Sequence, residues 1–411
     1  MKKMIKPKTI GILSKNYAAQ RLFLNKIDGA TYKDIRFLNW YLWKNVHLWF
    51  LRTIGKLNMS PEEQAAKLFY EYRAILPTGC DVYHFFNTIN YSTHSPWVIS
   101  VESGVPWPLQ VTKCVESVDG DLAVINGDKY VERALRYLAE PNCLGLLALS
   151  DCSKNIQLEI IKQFPEYEPI IRKKLITLHP PQNLFVTDIA QKGLTYDDNE
   201  MFTFFYVGRN FYRKGGRETV EILSELHKKY EFRLILISNM DKDEERYMRT
   251  ENDEVESLKL IETNNDWIEF YRGLPNDKVI EKAIHSHVAL LPTWMDTYGY
   301  SILETMACGT PTISTSLRAL TEINTSDVGW LINVPVNRLN NPIHNTKSQQ
   351  DTFHCILKNG LKEKLEYVLI HRREVKEKAV NCLNKIVKEH NPSLYAEKLA
   401  KVYNGKINEL I

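Results

Sequence analysis

Two clusters of residues in this sequence have the types and spacing to handle a phosphorylated ligand. Residues 207–216 read VGRNFYRKGG. Arg209 and Lys214 stand five residues apart, with Arg213 beside Lys214, in a turn that opens on Gly208 and closes on Gly215 and Gly216. Arginine offers a planar fork of donors and lysine a compact charge, a combination that suits a pyrophosphate. The glycines let backbone approach a ligand closely before a helix begins. A solvated basic turn would read the same way.

Residues 294–315 read WMDTYGYSILETMACGTPTIST. Asp296 falls in a loop after the apolar run 288–292, and Glu304 follows eight residues later, one turn into a predicted helix. The start of that helix, around Tyr298, Gly299, Tyr300 and Ser301, offers backbone N–H groups and a partial positive charge to a phosphate. Asp296 is then expected to face a sugar, and Glu304 a ribose diol, because a carboxylate accepts from adjacent hydroxyls. The plainer alternative has Asp296 capping the helix and Glu304 on its solvent face; taken singly, each residue fits it better.

The elements that must position these residues alternate between strand and helix. Apolar runs at 9–14, 81–86, 97–101 and 144–150 are expected to be buried strands, with helical patterns at 61–76 and 156–164 between them. A second series follows: strands at 201–207, 232–238, 267–271, 288–292 and 312–315, helices at 218–230, 276–285 and 300–308. Such alternation predicts parallel α/β sheets. Pro180 and Pro181 end the first series, and the mixed stretch 182–200 is expected to be a linker. The expected organisation is therefore a Rossmann-like domain over 1–181, a second over 201–385, and a C-terminal helix over 386–411 that packs back on the first domain. Residues 333–352, polar and rich in asparagine, are expected to be a surface loop. Ligands of such sheets bind at the carboxyl ends of the strands, here in a cleft between two domains.

Together the two clusters resemble the retaining glycosyltransferases of family 4, which have the GT-B fold: two Rossmann-like α/β domains with parallel sheets facing a central cleft. The family's G-R-x4-K-G segment is matched by Gly208, Arg209, Lys214 and Gly215, and its E-x7-E segment by Asp296, Tyr298, Gly299, Glu304, Met306, Ala307, Gly309 and Pro311. The stretch YRGLPNDKV resembles the place where the family contacts the base through backbone, here Gly273 and Leu274. The resemblance is clear from residue 201 to about 323 and faint in the N-terminal half, which in this family is the acceptor side. It implies transfer of a glycosyl group from a nucleotide-diphosphate sugar to a hydroxyl of a glycan or lipid-linked acceptor, with retention and without a metal or other cofactor. Arg209, Lys214 and the helix start would stabilise the leaving diphosphate, and bacterial surface polysaccharide or glycolipid assembly is the expected setting.

The departures are informative. Asp296 replaces the commoner glutamate, SLRAL replaces paired glycines at 316–320, and the loop SKNYAAQR lacks the glycines usual after the first strand. Where the family commonly has a histidine, this chain has Glu102, and two readings stay open there: a ligand to a sugar or acceptor hydroxyl, or a carboxylate bonded to loop backbone. A non-catalytic partner subunit, a nucleotide-sugar epimerase and a phosphorylase share the architecture and are the rival readings.

The rest of the composition narrows the class. The 411 residues carry 53 basic and 50 acidic side chains, too even a balance for a nucleic-acid binder. Hydrophobic residues (44%) suffice for two cores. Cys80, Cys114, Cys143, Cys152, Cys308, Cys355 and Cys382 contain no CxxC pair and no zinc spacing, so reduced thiols and a cytoplasmic location are expected. The first residues do not form a signal peptide, and no apolar run is long enough to span a bilayer. His84, His94, His179, His285 and His287 are expected to be ordinary packed or surface histidines. The segment 33–56 crowds Phe37, Trp40, Tyr41, Trp43, Trp49 and Phe50 among Lys33, Arg36, Lys44 and Arg52. It has the makings of a peripheral membrane contact, but its aromatics fall all round a helical wheel, which favours burial.

Overall fold

The computed structural model describes residues 8–13, 17–55, 71–92, 95–106, 109–240, 247 and 252–410. The chain forms two compact units. One comprises Met1–Val115, Gly120–Pro181 and Pro392–Ile411, the other Glu116–Asp119 and Gln182–Asn391.

Among the described residues the first unit holds a six-stranded parallel sheet and a two-stranded one. Its strands are β1 (Thr9–Ile12), β2 (Thr31–Asp34), β3 (Glu71–Tyr72), β4 (Val82–Phe86), β5 (Ile89–Asn90), β6 (Trp97–Val101), β7 (Cys143–Ala148) and β8 (Leu175–Thr177). The main sheet runs β2-β1-β4-β6-β7-β8, and β3 pairs with β5. The central strands are apolar almost without break because helices cover both faces of a parallel sheet; every residue of β6 is buried. The helix Pro392–Tyr403 belongs to this unit. Its Tyr403 hydroxyl sits 2.7 Å from Nδ1 of the buried His84, whose Nε2 lies 2.8 Å from Ser100 Oγ. Burial pushes the His84 pKa down to about 3, so this imidazole is a neutral link between helix and sheet.

In the second unit the strands are β9 (Phe202–Val207), β10 (Phe232–Ile237), β11 (Ile268–Tyr271), β12 (Val288–Leu291), β13 (Thr312–Thr315) and β14 (Gly329–Ile332). All pair in parallel in the order β11-β10-β9-β12-β13-β14. Phe205, Ile235, Ile237, Ala289 and the helix residues Ile280 and Ala283 form a buried cluster on one face.

Four sequence expectations need correction. The helix expected over 61–76 lies outside the described residues up to 70; beyond that, Glu71–Tyr72 form β3, drawn into extended structure by pairing with Ile89–Asn90. The loop expected over 333–352 ends early, because Thr346 and Gln349 form a capping box that starts the helix Lys347–Ile370. The stretch 182–200, expected to be a linker between units, falls within the second unit. Its 3-10 turn Ile189–Lys192 buries the Lys192 ammonium against Cys308 O (3.1 Å) and Thr310 Oγ1 (2.6 Å) of the same unit. Finally, the aromatic segment forms the helix Trp40–Thr53, and most of its aromatics are exposed rather than buried.

His287 is buried, His179 half-buried and His285 exposed. His179 Nδ1 lies 3.1 Å from Leu149 O, His285 Nδ1 3.0 Å from Lys192 O, and His287 Nε2 3.1 Å from Glu200 Oε2. His94 is outside the described residues. Among the described residues no helix is long and apolar enough to cross a membrane.

Candidate functional site

The sheet of the second unit reverses its winding between β9 and β12. From β9 the chain steps outward through β10 and β11, then returns to the other side for β12, β13 and β14. Loops leaving the carboxyl ends of two such neighbouring strands diverge and leave a crevice, the usual ligand position in open α/β sheets. The two chemical clusters are these loops: residues 208–215 leave β9 and residues 292–299 leave β12.

The β9 loop is folded tightly against the β12 loop. Gly215 has φ +74°, and a Cβ placed on it would lie 2.0 Å from Pro292 O. Only glycine permits both the left-handed backbone and this approach. The contact is reinforced by Trp294 N, which donates to Arg213 O at 2.8 Å, while Thr293 Oγ1 lies 2.9 Å from the same carbonyl. Gly208 lies under the stem of Lys214. Gly215 is then the N-cap of the helix Gly216–Leu226.

This packing delivers Lys214 to Asp296. Lys214 Nζ donates to Asp296 Oδ2 at 2.5 Å, with both side chains largely shielded, 18% and 15% exposed. Asp296 Oδ1 meanwhile accepts from Gly299 N at 3.0 Å and Tyr298 N at 3.3 Å. Gly299, at φ +87° and with Leu320 where a Cβ would go, begins the helix Tyr300–Ala307. Its first intrahelical bond runs from Ile302 N to Gly299 O, so the N–H groups of Tyr300 and Ser301 precede the helical ladder. One carboxylate thus ties a cation to the positive end of a helix. The ammonium has three donors and Asp296 takes one.

The remaining expected residues have these positions. Arg209 is exposed two residues past β9, and its carbonyl lies 3.5 Å from Ser238 Oγ. Arg213 turns back to Asn210 Oδ1 at 3.0 Å. Tyr298 is buried and its ring lies 5.0 Å from that of Tyr300. Glu304 is half-buried one turn into the helix. Gly273 follows β11 with φ +80°, and Leu274 packs against the apolar cluster of the sheet. Glu102 follows β6 in the first unit, half-buried, its N–H donating to Asn87 Oδ1 at 3.0 Å. Asp296 thus bonds the turn that leads into the helix rather than its first turn, and it is Lys214, not Arg209, that meets it. Among the described residues no group of three or more His, Cys, Asp or Glu is arranged to hold a metal.

Sequence reasoning missed the charged network beneath the site. Glu218, fully buried, accepts from Trp294 Nε1 (3.2 Å) and Arg217 Nη2 (2.9 Å), with His354 Nδ1 at 2.9 Å. Arg217 also bonds Asp253. Burial alone would raise the Glu218 pKa; Arg217 and His354 outweigh it and hold the carboxyl down at about 2. Trp294 stacks on Phe353 of the helix Lys347–Ile370, with ring centres 4.7 Å apart. A buried glutamate and tryptophan therefore fix the loop that presents Asp296. The only sequence signal was an acidic residue in a helix's first turn, which is ordinarily solvent-facing.

A parallel sheet wound both ways, with a cation and a helix start at its switch point, defines a mononucleotide-binding Rossmann-like unit. Residues 189–363 match the family model described as glycosyl transferases group 1. No curated protein sequence matches the chain. Solved structures with the same fold include a glycosyltransferase from Rickettsia africae ESF-5, 13% identical over 98% of this chain and 99% of that one, with a TM-score of 0.54. The Anabaena protein Alr3699/HepE in complex with UDP is 13% identical over 97% and 99%, TM-score 0.56. A UDP-forming trehalose-phosphate synthase from Burkholderia xenovorans is 11% identical over 97% and 99%, TM-score 0.57. The chain accordingly has the GT-B fold, with two Rossmann-like halves.

Proposed function

We propose that this protein is a retaining glycosyltransferase of family 4, moving a glycosyl group from a nucleotide-diphosphate sugar to a hydroxyl of a glycan or lipid-linked acceptor in surface polysaccharide or glycolipid assembly. The observation that carries the reading is the contact of Lys214 Nζ with Asp296 Oδ2 at the start of the helix Tyr300–Ala307. Two of the similar Anabaena structures hold UDP or UDP-glucose, which supports a uridine nucleotide as the first donor to test.

In the proposed reaction the bond between the anomeric carbon and the β-phosphate oxygen breaks as the acceptor oxygen bonds the same carbon on the same face. The acceptor proton passes to the leaving phosphate. Negative charge grows on the diphosphate and is met by Lys214, by Arg209 and by the N–H groups of Tyr300 and Ser301. Preorganised charge of this kind is commonly the largest catalytic contribution. The positive groups needed by the leaving group are supplied by protein, so the transfer is proposed to need no metal. Asp296 orients Lys214 and faces the sugar; Glu304 faces the ribose, and the backbone of Gly273 and Leu274 the base.

A thermal-shift panel of UDP, GDP, ADP and the corresponding sugars tests the reading. One nucleoside diphosphate should raise the melting temperature clearly above the others, and its sugar should turn over only when acceptor is added. Turnover without acceptor would make the protein an epimerase, dependence on free phosphate a phosphorylase, and no response to any nucleotide a non-catalytic subunit.

A further inference from the structure

The helix Trp40–Thr53 is built inside out. An α-helix places residues three, four and seven apart on one face. Its inward face is the stripe Tyr41, Asn45, Leu48 and Arg52, of which Tyr41 and Asn45 are buried. The opposite stripe is Trp40, Trp43, His47, Phe50 and Ile54, all exposed, with Trp43 at 51% and Phe50 at 53%. Phe37, Val46 and Trp49 widen it. Ile75 and Leu76, also exposed, adjoin it through the bond from Ile75 N to Leu38 O.

Polar bonds hold the helix in place. Asn39 Oδ1 accepts from Tyr41 N (3.2 Å) and Arg73 N (3.0 Å), and Asn39 Nδ2 donates to Glu71 O (3.0 Å). Arg133 Nη2 donates to the Tyr41 hydroxyl at 2.7 Å. Of the bulky apolar side chains, Trp43 adds a local bond from Nε1 to Phe37 O at 2.8 Å, and a contiguous exposed patch of such residues marks an interaction surface.

The charge around the patch is mostly basic, with Asp34 paired to Arg36 at 2.7 Å on its edge. Between Asp34 and Glu62 the sequence has no acidic residue and has Arg36, Lys44, Arg52 and Lys56. Lys44 Nζ lies 5.2 Å from the centre of the Trp40 ring, and the Arg36 guanidinium 6.0 Å from that of Phe37, so the cations flank the aromatics. Two copies meeting through this patch about a twofold axis would bring like charges together. An anionic lipid surface complements both features: aromatic side chains settle at the headgroup boundary, and lysine and arginine meet lipid phosphates.

We propose that the exposed face of the helix Trp40–Thr53 docks this protein on an anionic bilayer, with Trp40, Trp43, Phe50 and Ile54 entering the headgroup boundary and Lys44 against lipid phosphates. This proposal does not rest on the glycosyl-transfer reading.

The test is co-sedimentation of the full chain with vesicles of phosphatidylcholine alone and of equimolar phosphatidylcholine and phosphatidylglycerol. The protein should partition onto the anionic vesicles and much less onto the neutral ones. Trp43→Ser/Phe50→Ser should weaken that partition by at least about tenfold, with little change in melting temperature because both side chains are exposed and only the local Trp43–Phe37 bond is lost. Lys44→Glu should weaken it by about fivefold or more on the anionic vesicles. Brominated lipid should quench the tryptophan fluorescence of the wild type. Failure to bind anionic vesicles would overturn the proposal, as would equal binding by wild type and Trp43→Ser/Phe50→Ser. So would a dimer in sedimentation velocity that the double variant breaks, without vesicle binding by either protein.

Discussion

Lys214 and Asp296, 82 residues apart in sequence, meet at 2.5 Å where the loops after β9 and β12 cross. The pair is mostly shielded from water, and its carboxylate is also bonded to the N–H groups of Tyr298 and Gly299, just ahead of the helix Tyr300–Ala307. Ammonium, carboxylate and helix end therefore form one unit whose geometry the β9 and β12 loops set jointly. A phosphate arriving there finds the cation already positioned, which is the condition under which charge stabilises a transition state without reorganisation.

The two members of the pair should be separable by kinetics. Lys214→Ala removes the charge and is expected to lower kcat by about a hundredfold or more. Asp296→Asn keeps an oxygen for Gly299 N but releases the lysine, and is expected to lower kcat by about tenfold through lost positioning. Steady-state rates with the donor identified in the nucleotide panel check both. Equal rates in wild type and Lys214→Ala would remove Lys214 from the chemistry.

Gly215→Ala should damage the fold as well as the site. The added Cβ would lie 2.0 Å from Pro292 O, on a backbone with φ +74°. Strain and overpacking together are expected to cost about 2 kcal/mol or more, read as a lower urea midpoint. Gly29→Ala is the control: it shares a positive φ, +76°, but has nothing within 4 Å of the new atom. It should cost distinctly less.

Glu218 predicts an acid limb in the stability curve. Its carboxyl sits at about 2, below the ordinary 4.5, so below pH 4.5 the unfolded chain binds a proton that the folded protein refuses. The stability it contributes is full above about pH 4.5 and is lost as pH falls toward 2. Glu218→Gln should be destabilised at pH 7, by about 3 kcal/mol if the loss resembles other broken buried pairs, and should flatten that limb. Urea melts across the acid range, compared between the two proteins, decide it.

The parts of this molecule differ in how far their residues announce them. Phe202–Val207 and Val288–Leu291 are apolar runs that stop at a glycine or proline, and the buried parallel strands β9 and β12 follow from that alone. Lys214 and Asp296 were readable as candidates, but their contact was not, since it depends on the strand order β9-β12 and on Gly215 reaching Pro292. The role of Glu218 was not readable, because nothing local reveals that Trp294 and His354 will surround it. Only the start of the helix Lys347–Ile370 was misplaced, because its first turn is polar; Phe353, Leu357, Leu361, Leu365 and Leu369 carry its buried stripe. The helix Trp40–Thr53 misled for the opposite reason. Aromatic content predicts burial, yet here Asn39, Tyr41 and Arg133 anchor the helix and the tryptophans face outward.

Isothermal titration of nucleotides into the wild type and Lys214→Met addresses the site most directly. A nucleoside diphosphate should bind the wild type far more tightly than its parent nucleoside, and Lys214→Met should lose about tenfold or more of the diphosphate affinity while nucleoside binding is unchanged. Equal diphosphate affinity in the two proteins, or no preference for diphosphate over nucleoside, would contradict a diphosphate site at Lys214 and Asp296.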